Sequence, residues 1–283
     1  MLPSFLLSLR EGLEAALIIG IVFGVLARLN HKHLKPAVWW GVILAVLASI
    51  IVGLGLNLLG MSFEGRAEEI FEGLALLFAA GVLTWMILWM QKQGRHLKTG
   101  IEKETTQALR TGGKALFFLA FLAVFREGLE LSIFLLATSL VSSGNMTLVG
   151  AFLGLGLAVI IGWVLFSTTN RLSLSGFFKV TNILLIFFAA GMVAYGVHEL
   201  NEAGWIPSII YPVWDINHIL SDKSELGLVL KALFGYNGNP SLTEVIAYVT
   251  FLTLLLVNYL RFQRSNATLV PKKQYLSTHE ISD

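Results

Sequence analysis

Residues Leu2–Leu29 read LPSFLLSLREGLEAALIIGIVFGVLARL, an apolar run broken by Arg10-Glu11-Gly12-Leu13-Glu14. A run of this length covers the roughly 30 Å of bilayer hydrocarbon as a single helix. Each charge at the centre of such a span costs at least about 2.5–3.5 kcal/mol. The same five residues return as Arg126-Glu127-Gly128-Leu129-Glu130, again deep inside an apolar run. Six charges at that cost, in two identical pentapeptides, call for a functional account.

Outward from these two segments, further runs long enough to span occur at about 37–59, 70–90, 147–168, 176–198 and 243–260, with the second motif in 115–142. The expected fold is therefore all-α, a polytopic membrane protein of seven transmembrane helices. Composition agrees: 13% of residues are charged, 55% are hydrophobic and mean hydropathy is +0.75, against about 25% charged in a soluble domain. Basic residues alternate between loops. Those after spans 1, 3, 5 and 7 carry Arg28, Lys32, Lys35, Lys92, Arg95, Lys98, Lys103, Arg110, Lys114, Arg171, Lys179, Arg261, Arg264, Lys272 and Lys273; the opposite side has Arg66, Lys223 and Lys231. The positive-inside rule then puts the N-terminus outside and the C-terminus in the cytoplasm. Span 1 lacks the basic leader and small-residue cleavage site of a signal peptide, so it reads as a retained helix.

Residues 1–262 form one permease domain in this reading. Its parts are a first repeat (1–92), a second repeat (113–200), an outer loop (201–241) and a seventh helix (243–262), followed by a cytoplasmic tail (263–283) that reads as disordered. The two motifs run in opposite directions, and Phe78-Ala79-Ala80-Gly81 in span 3 matches Phe188-Ala189-Ala190-Gly191 in span 6. Spans 1–3 and 4–6 thus read as an inverted repeat, an arrangement that places a transported ion near the midplane.

Within each motif, Glu at i and i+3 lie on one helix face, and Arg reaches the second Glu at i,i+4. Glycine between them permits close approach of a backbone or an ion. Glu11, Glu14, Glu127 and Glu130 together with Arg10 and Arg126 would sum to a charge of −2, which suits a hard, oxygen-seeking cation. A purely structural ion pair needs one Glu per Arg, and each motif has two. Further acids gather at the outer rim: Glu68, Glu69 and Glu72 entering span 3, Glu199 and Glu202 leaving span 6, and Asp215 in the loop. The dipole at a helix N-terminus explains the first group as well as metal capture does; Glu199 and Glu202, at a C-terminal end, are disfavoured by it and so make better metal ligands at the mouth. Asp215 and His218 have metal-compatible spacing, and Ser224 with the stretch to Phe234 predicts a short amphipathic helix packed at the membrane interface. The polar segment 92–114 is expected to be partly helical, against lipid headgroups.

The absence of cysteine excludes thiolate metal sites, disulfides and iron–sulfur clusters. No phosphate-binding loop is present, and no basic, aromatic-rich stretch suggests nucleic acid. A membrane di-iron carboxylate enzyme would use mid-span Glu-x-x-His pairs, and the spans hold no histidine near their centres.

The doubled Arg-Glu-Gly-Leu-Glu, the seven spans and Glu202-Ala203-Gly204 make the chain resemble the oxidase-dependent iron transporter family, in particular its bacterial ferrous-iron permeases of the EfeU type. The resemblance covers essentially the whole chain. It implies high-affinity iron uptake across the bacterial cytoplasmic (inner) membrane, with Glu11, Glu14, Glu127 and Glu130 as metal ligands and Arg10 and Arg126 tempering their charge. Iron, as Fe(II) or Fe(III), is the expected substrate, with no bound organic cofactor. Expected partners are membrane lipid and periplasmic iron-oxidising or iron-delivering proteins. A permease for another metal such as lead is the alternative, since some relatives are linked to it.

Overall fold

A computed structural model describes residues 1–93, 97–141, 144–167, 175–222 and 224–268. Among these residues the chain is all-helical and without strands. In chain order the helices are α1 (Leu2–Arg28), α2 (Lys35–Gly60), α3 (Arg66–Gln93), α4 (Leu97–Thr111), α5 (Gly113–Val141), α6 (Gly144–Ser167), α7 (Ser175–Glu202), α8 (Glu225–Phe234) and α9 (Leu242–Thr268). Proline falls in the first turn of α1 and of α2, where its missing N–H costs nothing.

Long helices occupy all seven apolar stretches. Four of them are long and apolar enough to cross a membrane: the second with its preceding turn (Lys32–Gly60), Arg66–Met90, Gly144–Leu165 and Val180–Glu202. Helices α1 and α5 are as long but carry the charged motifs, and the apolar part of α9 is the shorter Leu242–Asn258. The chain is a multi-pass membrane protein by these features. The expected helix ends at 142 and 168, and the tail beyond 268, lie outside the described residues. Up to 268 the expected tail differs: α9 continues unbroken past residue 262, with no proline or glycine there to stop it. Segment 92–114 contains α4, which packs its apolar face (Ile101, Ala108, Leu109) under the ends of α1, α2 and α5.

Helices pair in a crossed pattern. The first motif helix, α1, packs along α6; the second, α5, packs along α2; and α3 packs on α7. Both motif-helix pairs are held by small residues at one-turn intervals. On α1 and α6, Ser4 meets Gly150, Ser8 meets Gly154 and Gly12 meets Ala158. On α2 and α5, Gly41 meets Ala120, Ser49 meets Gly128 and Gly53 meets Ser132. Close approach of this kind is how helices associate in lipid, where apolar surface supplies no differential drive. Helices α2 and α6 show Trp39, Trp40, Ile51, Phe152, Val159 and Trp163 outward, a surface that needs lipid around it.

The buried core lies between α1, α3, α5 and α7, where Leu7, Leu76, Leu83, Phe134, Leu185 and Met192 meet. At the far end from α4, the 201–241 loop folds back. Ser224 caps α8 by accepting a hydrogen bond from the Gly227 N–H at 3.0 Å, and Gly235 ends it in a left-handed conformation with φ of 66°.

The amphipathic helix expected at the interface exists but lies elsewhere. Phe234 meets the Phe187 ring at 5.5 Å and Gly235 lies against Gly191. Gly191 is eleven residues before the end of α7, about 16 Å down a helix at 1.5 Å per residue. Thus α8 re-enters the bundle. The physical reason is the pair Gly191 and Gly235, whose backbones touch where any side chain would collide.

Candidate functional site

The fold turns both motifs toward one point. Glu11, Glu14 and Glu127 each offer a carboxylate oxygen, all within 4.8 Å of one another, and all three residues are buried. A six-coordinate ion with bonds of ~2.1 Å holds opposed ligand oxygens ~4.2 Å apart, so oxygens within 4.8 Å of one another are near the spacing one ion requires. Glu130 is not in this closest set, but it is near enough to Arg10 and Glu14 to share their field. Oε2 of Glu11, Oε1 of Glu14 and Oε2 of Glu130 are buried without a hydrogen-bond partner. Buried polar atoms are almost always satisfied; Glu14 Oε1 has the Arg10 guanidinium beside it, while Glu11 Oε2 and Glu130 Oε2 have the chemistry of open ligands.

The glycines serve the helix pairs. A Cβ on Gly12 would come within 2.7 Å of Ala158 Cβ, and one on Gly128 within 2.0 Å of Ser49 Oγ. They set the spacing of α1 on α6 and of α5 on α2.

The two arginines are seated differently. Arg10 is fully buried; its Nη1 donates to Glu11 Oε1 at 2.8 Å, and its Nη2 lies 3.0 Å from Glu14 Oε1 as an ion pair without hydrogen-bond geometry. Nη1 also donates to Met86 Sδ at 2.8 Å and Nη2 to Met90 Sδ at 2.9 Å, both on α3, while the buried Nε–H has no partner among the described residues. Arg126 bonds Glu127 Oε1, lies 3.8 Å from Glu130 Oε1, and rests over the Trp89 ring at 5.6 Å. Its side chain is 47% exposed, whereas that of Arg10 is fully buried. One stretch of α3, Met86 to Met90, therefore holds both arginines. Nothing in its sequence marks it; two methionines and a tryptophan in an apolar helix read as packing.

The outer acids separate into groups. Glu72 and Glu199 face each other across α3 and α7 within electrostatic reach; Glu199 is buried and Glu72 partly so. Glu202 is exposed, 3.4 Å from His198 Nε2. Glu68 is exposed and Glu69 half-buried in the first turn of α3. Asp215 is exposed, and its Oδ1 accepts from the Asn217 N–H at 3.1 Å, a turn-closing role; His218 is also exposed. Two residues the sequence reading passed over belong here. His198 Nδ1 is 3.1 Å from Glu244 Oε1, and Glu244 also accepts from Asn237 Nδ2 and the Ser241 N–H. The i,i+4 spacing of His198 and Glu202 was visible in the sequence; the contact with Glu244 joins α7 to α9 and was not.

Converging carboxylates paired with arginine, inside a bundle of long apolar helices, define a multi-pass membrane protein with charged groups gathered in its interior. The model of the Iron permease FTR1 family matches residues 1–262. The chain is 36% identical over 271 residues to the Ferrous iron permease EfeU of Escherichia coli O6:K15:H31, covering 95% of this chain and 98% of that one. It is 35% identical over 270 residues to the Ferrous iron permease EfeU of Yersinia pestis, covering 94% and 96%. A relative from Escherichia coli K12, 36% identical, is named a putative inactive ferrous iron permease. No solved structure matches the chain. The protein belongs to the FTR1 iron permease family; it is a transporter rather than an enzyme, and iron is its substrate.

Proposed function

We propose that the protein takes up iron across the bacterial cytoplasmic membrane through a central site formed by Glu11 and Glu14 of α1 with Glu127 and Glu130 of α5. The convergence of Glu11, Glu14 and Glu127 oxygens within 4.8 Å, with orphaned oxygens beside them, carries this reading. Arg10 and Arg126 reduce four negative charges to two, so that a divalent ion is bound but can leave. The relatives' names point to ferrous iron as the species carried, and carboxylate oxygen suits such an ion.

Seven crossings with the basic loops inside would orient the outer acids toward the periplasm, and the crossed pairing of α1 with α6 and α5 with α2 supports an inverted repeat of 1–92 and 113–200. Arg126, over Trp89 near the far end of α3 from Glu68 and Glu69, lies on the side of the site away from the outer acids. Glu72, Glu199 and Glu202 stand at the outer end as the first acids an arriving ion meets, and periplasmic iron-oxidising or iron-delivering proteins would present it there. Permeation of another metal such as lead is the competing reading.

The test is uptake of radioactive iron into proteoliposomes, supplied as Fe(II) under reductant or as Fe(III). Glu11→Gln and Glu127→Gln should abolish uptake while the protein still purifies as a folded species. Undiminished uptake by both variants rejects the central site. Lead carried faster than either form of iron rejects the substrate.

A further inference from the structure

The re-entrant helix α8 carries a basic residue to an unusual place. Lys231 is half-buried, and its Nζ stands 4.4 Å from the centre of the Tyr195 ring on α7. It lines one small cavity together with Tyr195, Gly191, Asn237 and Glu244. Asp222, Glu199 and Glu244 are the carboxylates whose charge reaches it, yet among the described residues none lies within 4.0 Å of it. Glu244 is already engaged by His198, Asn237 and Ser241, and Arg66, the other described basic side chain at this end, gives its Nε–H to Ala203 O at 2.7 Å. Lys231 is thus an ammonium held by an aromatic face, among acids, without an ion pair of its own.

That hold is weak: a cation over an aromatic ring contributes about 0.5–2 kcal/mol. The lysine stem is flexible and its charge is compact. Its helix is fixed at both ends, by Ser224 at the start and by Gly235 against Gly191 at the finish, so the head group can move while the stem stays anchored. Helix α8 also touches α1, the helix of the first motif, and its Gly235 end reaches Gly191, about two turns along α7 before Glu199.

We propose that the Lys231 ammonium, resting over Tyr195, is a tethered cation in the outer mouth that screens Glu199 and Glu244 until an arriving metal ion displaces it. A divalent ion gains more than the single charge it replaces, whereas a monovalent ion at similar distance gains nothing. Lys231 is then a specificity-determining residue that favours multivalent cations before they reach the motif glutamates. This inference rests on the reading of the 201–241 end as the entrance.

Two measurements on the full chain test it. In proteoliposomes supplied with Fe(II), Lys231→Met should lower the apparent KM at least about threefold, the scale of one partly screened ion pair. It should leave the maximal rate unchanged or higher and increase inhibition by external sodium. Lys231→Arg should keep the KM near wild type. A merely structural role would raise KM or lower the rate in both variants, and an unchanged or raised KM in Lys231→Met overturns the proposal. The second measurement needs no variant: acylation of Lys231 by an amine-reactive reagent, read by mass spectrometry, with Mn(II) present or absent. Displacement predicts faster labelling with Mn(II); equal or slower labelling overturns it. Wild-type vesicles that take up no iron would instead overturn the permease reading, separating the two failures.

Discussion

At the scale of single residues, the site depends on what each arginine is given to bind. Arg10 is fully buried, so besides Glu11 Oε1 and Glu14 Oε1 the sulfurs of Met86 and Met90 take its N–H donors. The second oxygen of Glu11, Oε2, is left for an ion. Replacing Met86 or Met90 with leucine keeps the volume and removes the acceptor. A buried charged donor left unpaired is worth about 1–3 kcal/mol, so each variant should raise the KM for iron by roughly tenfold as Arg10 turns onto the carboxylates. Protein abundance and the maximal rate should hold; transport kinetics of the purified variants checks this. The motif glycines make a different prediction. Gly128→Ala puts a methyl group into Ser49 and should destabilise the α2–α5 pair by about 1–3 kcal/mol. Adding Ser49→Gly should recover most of that loss, as read by thermal unfolding in detergent.

Among the elements, α3 and α8 do work that their sequences do not announce. The helices themselves were plain: all seven apolar runs lie in long helices, four of them long and apolar enough to cross a membrane, since a backbone in hydrocarbon must satisfy its own N–H and C=O groups. The carboxylate faces were plain too, since i,i+3 spacing fixes which side chains share a face. Hidden from the sequence was the role of Met86, Trp89 and Met90, which depends on α3 lying beside both motif helices. The depth of α8 was hidden for the same reason. Its apolar face fits an interface as well as a bundle interior, and only the contact of Gly235 with Gly191 selects the second. The join of α7 and α9 through His198 and Glu244 is testable alone. Glu244→Ala removes acceptors from His198, Asn237 and the Ser241 N–H, and should cost about 1–3 kcal/mol. Limited proteolysis should then cut the 201–241 loop faster than in wild type.

For the whole molecule, transport needs a driving force and a ligand set that can let go. An inside-negative potential of 100 mV contributes about 4.6 kcal/mol to a divalent cation crossing it. Imposing such a potential with a potassium gradient and valinomycin should accelerate Fe(II) uptake several-fold, and reversing it should slow uptake. Protons compete with the metal for the same carboxylate oxygens, because only the deprotonated form is a ligand. Lowering external pH should therefore raise the KM, and raising the iron concentration should restore the rate. A pH effect on the maximal rate with KM constant would place the titrating group outside the metal's path.

By itself the sequence determined the membrane setting, the helical class, the two charged faces and the family they signal. The first three follow from local spacing or from the cost of charge in hydrocarbon, the family from resemblance of the doubled motif, and none needs a neighbouring helix to be known. The tertiary structure alone decided which oxygens converge, which arginine is sealed and which is open, and that a short helix brings Lys231 down among the outer acids. Those outcomes depend on the pairing of helices distant in the chain, set by glycine and serine contacts whose partners no local pattern names.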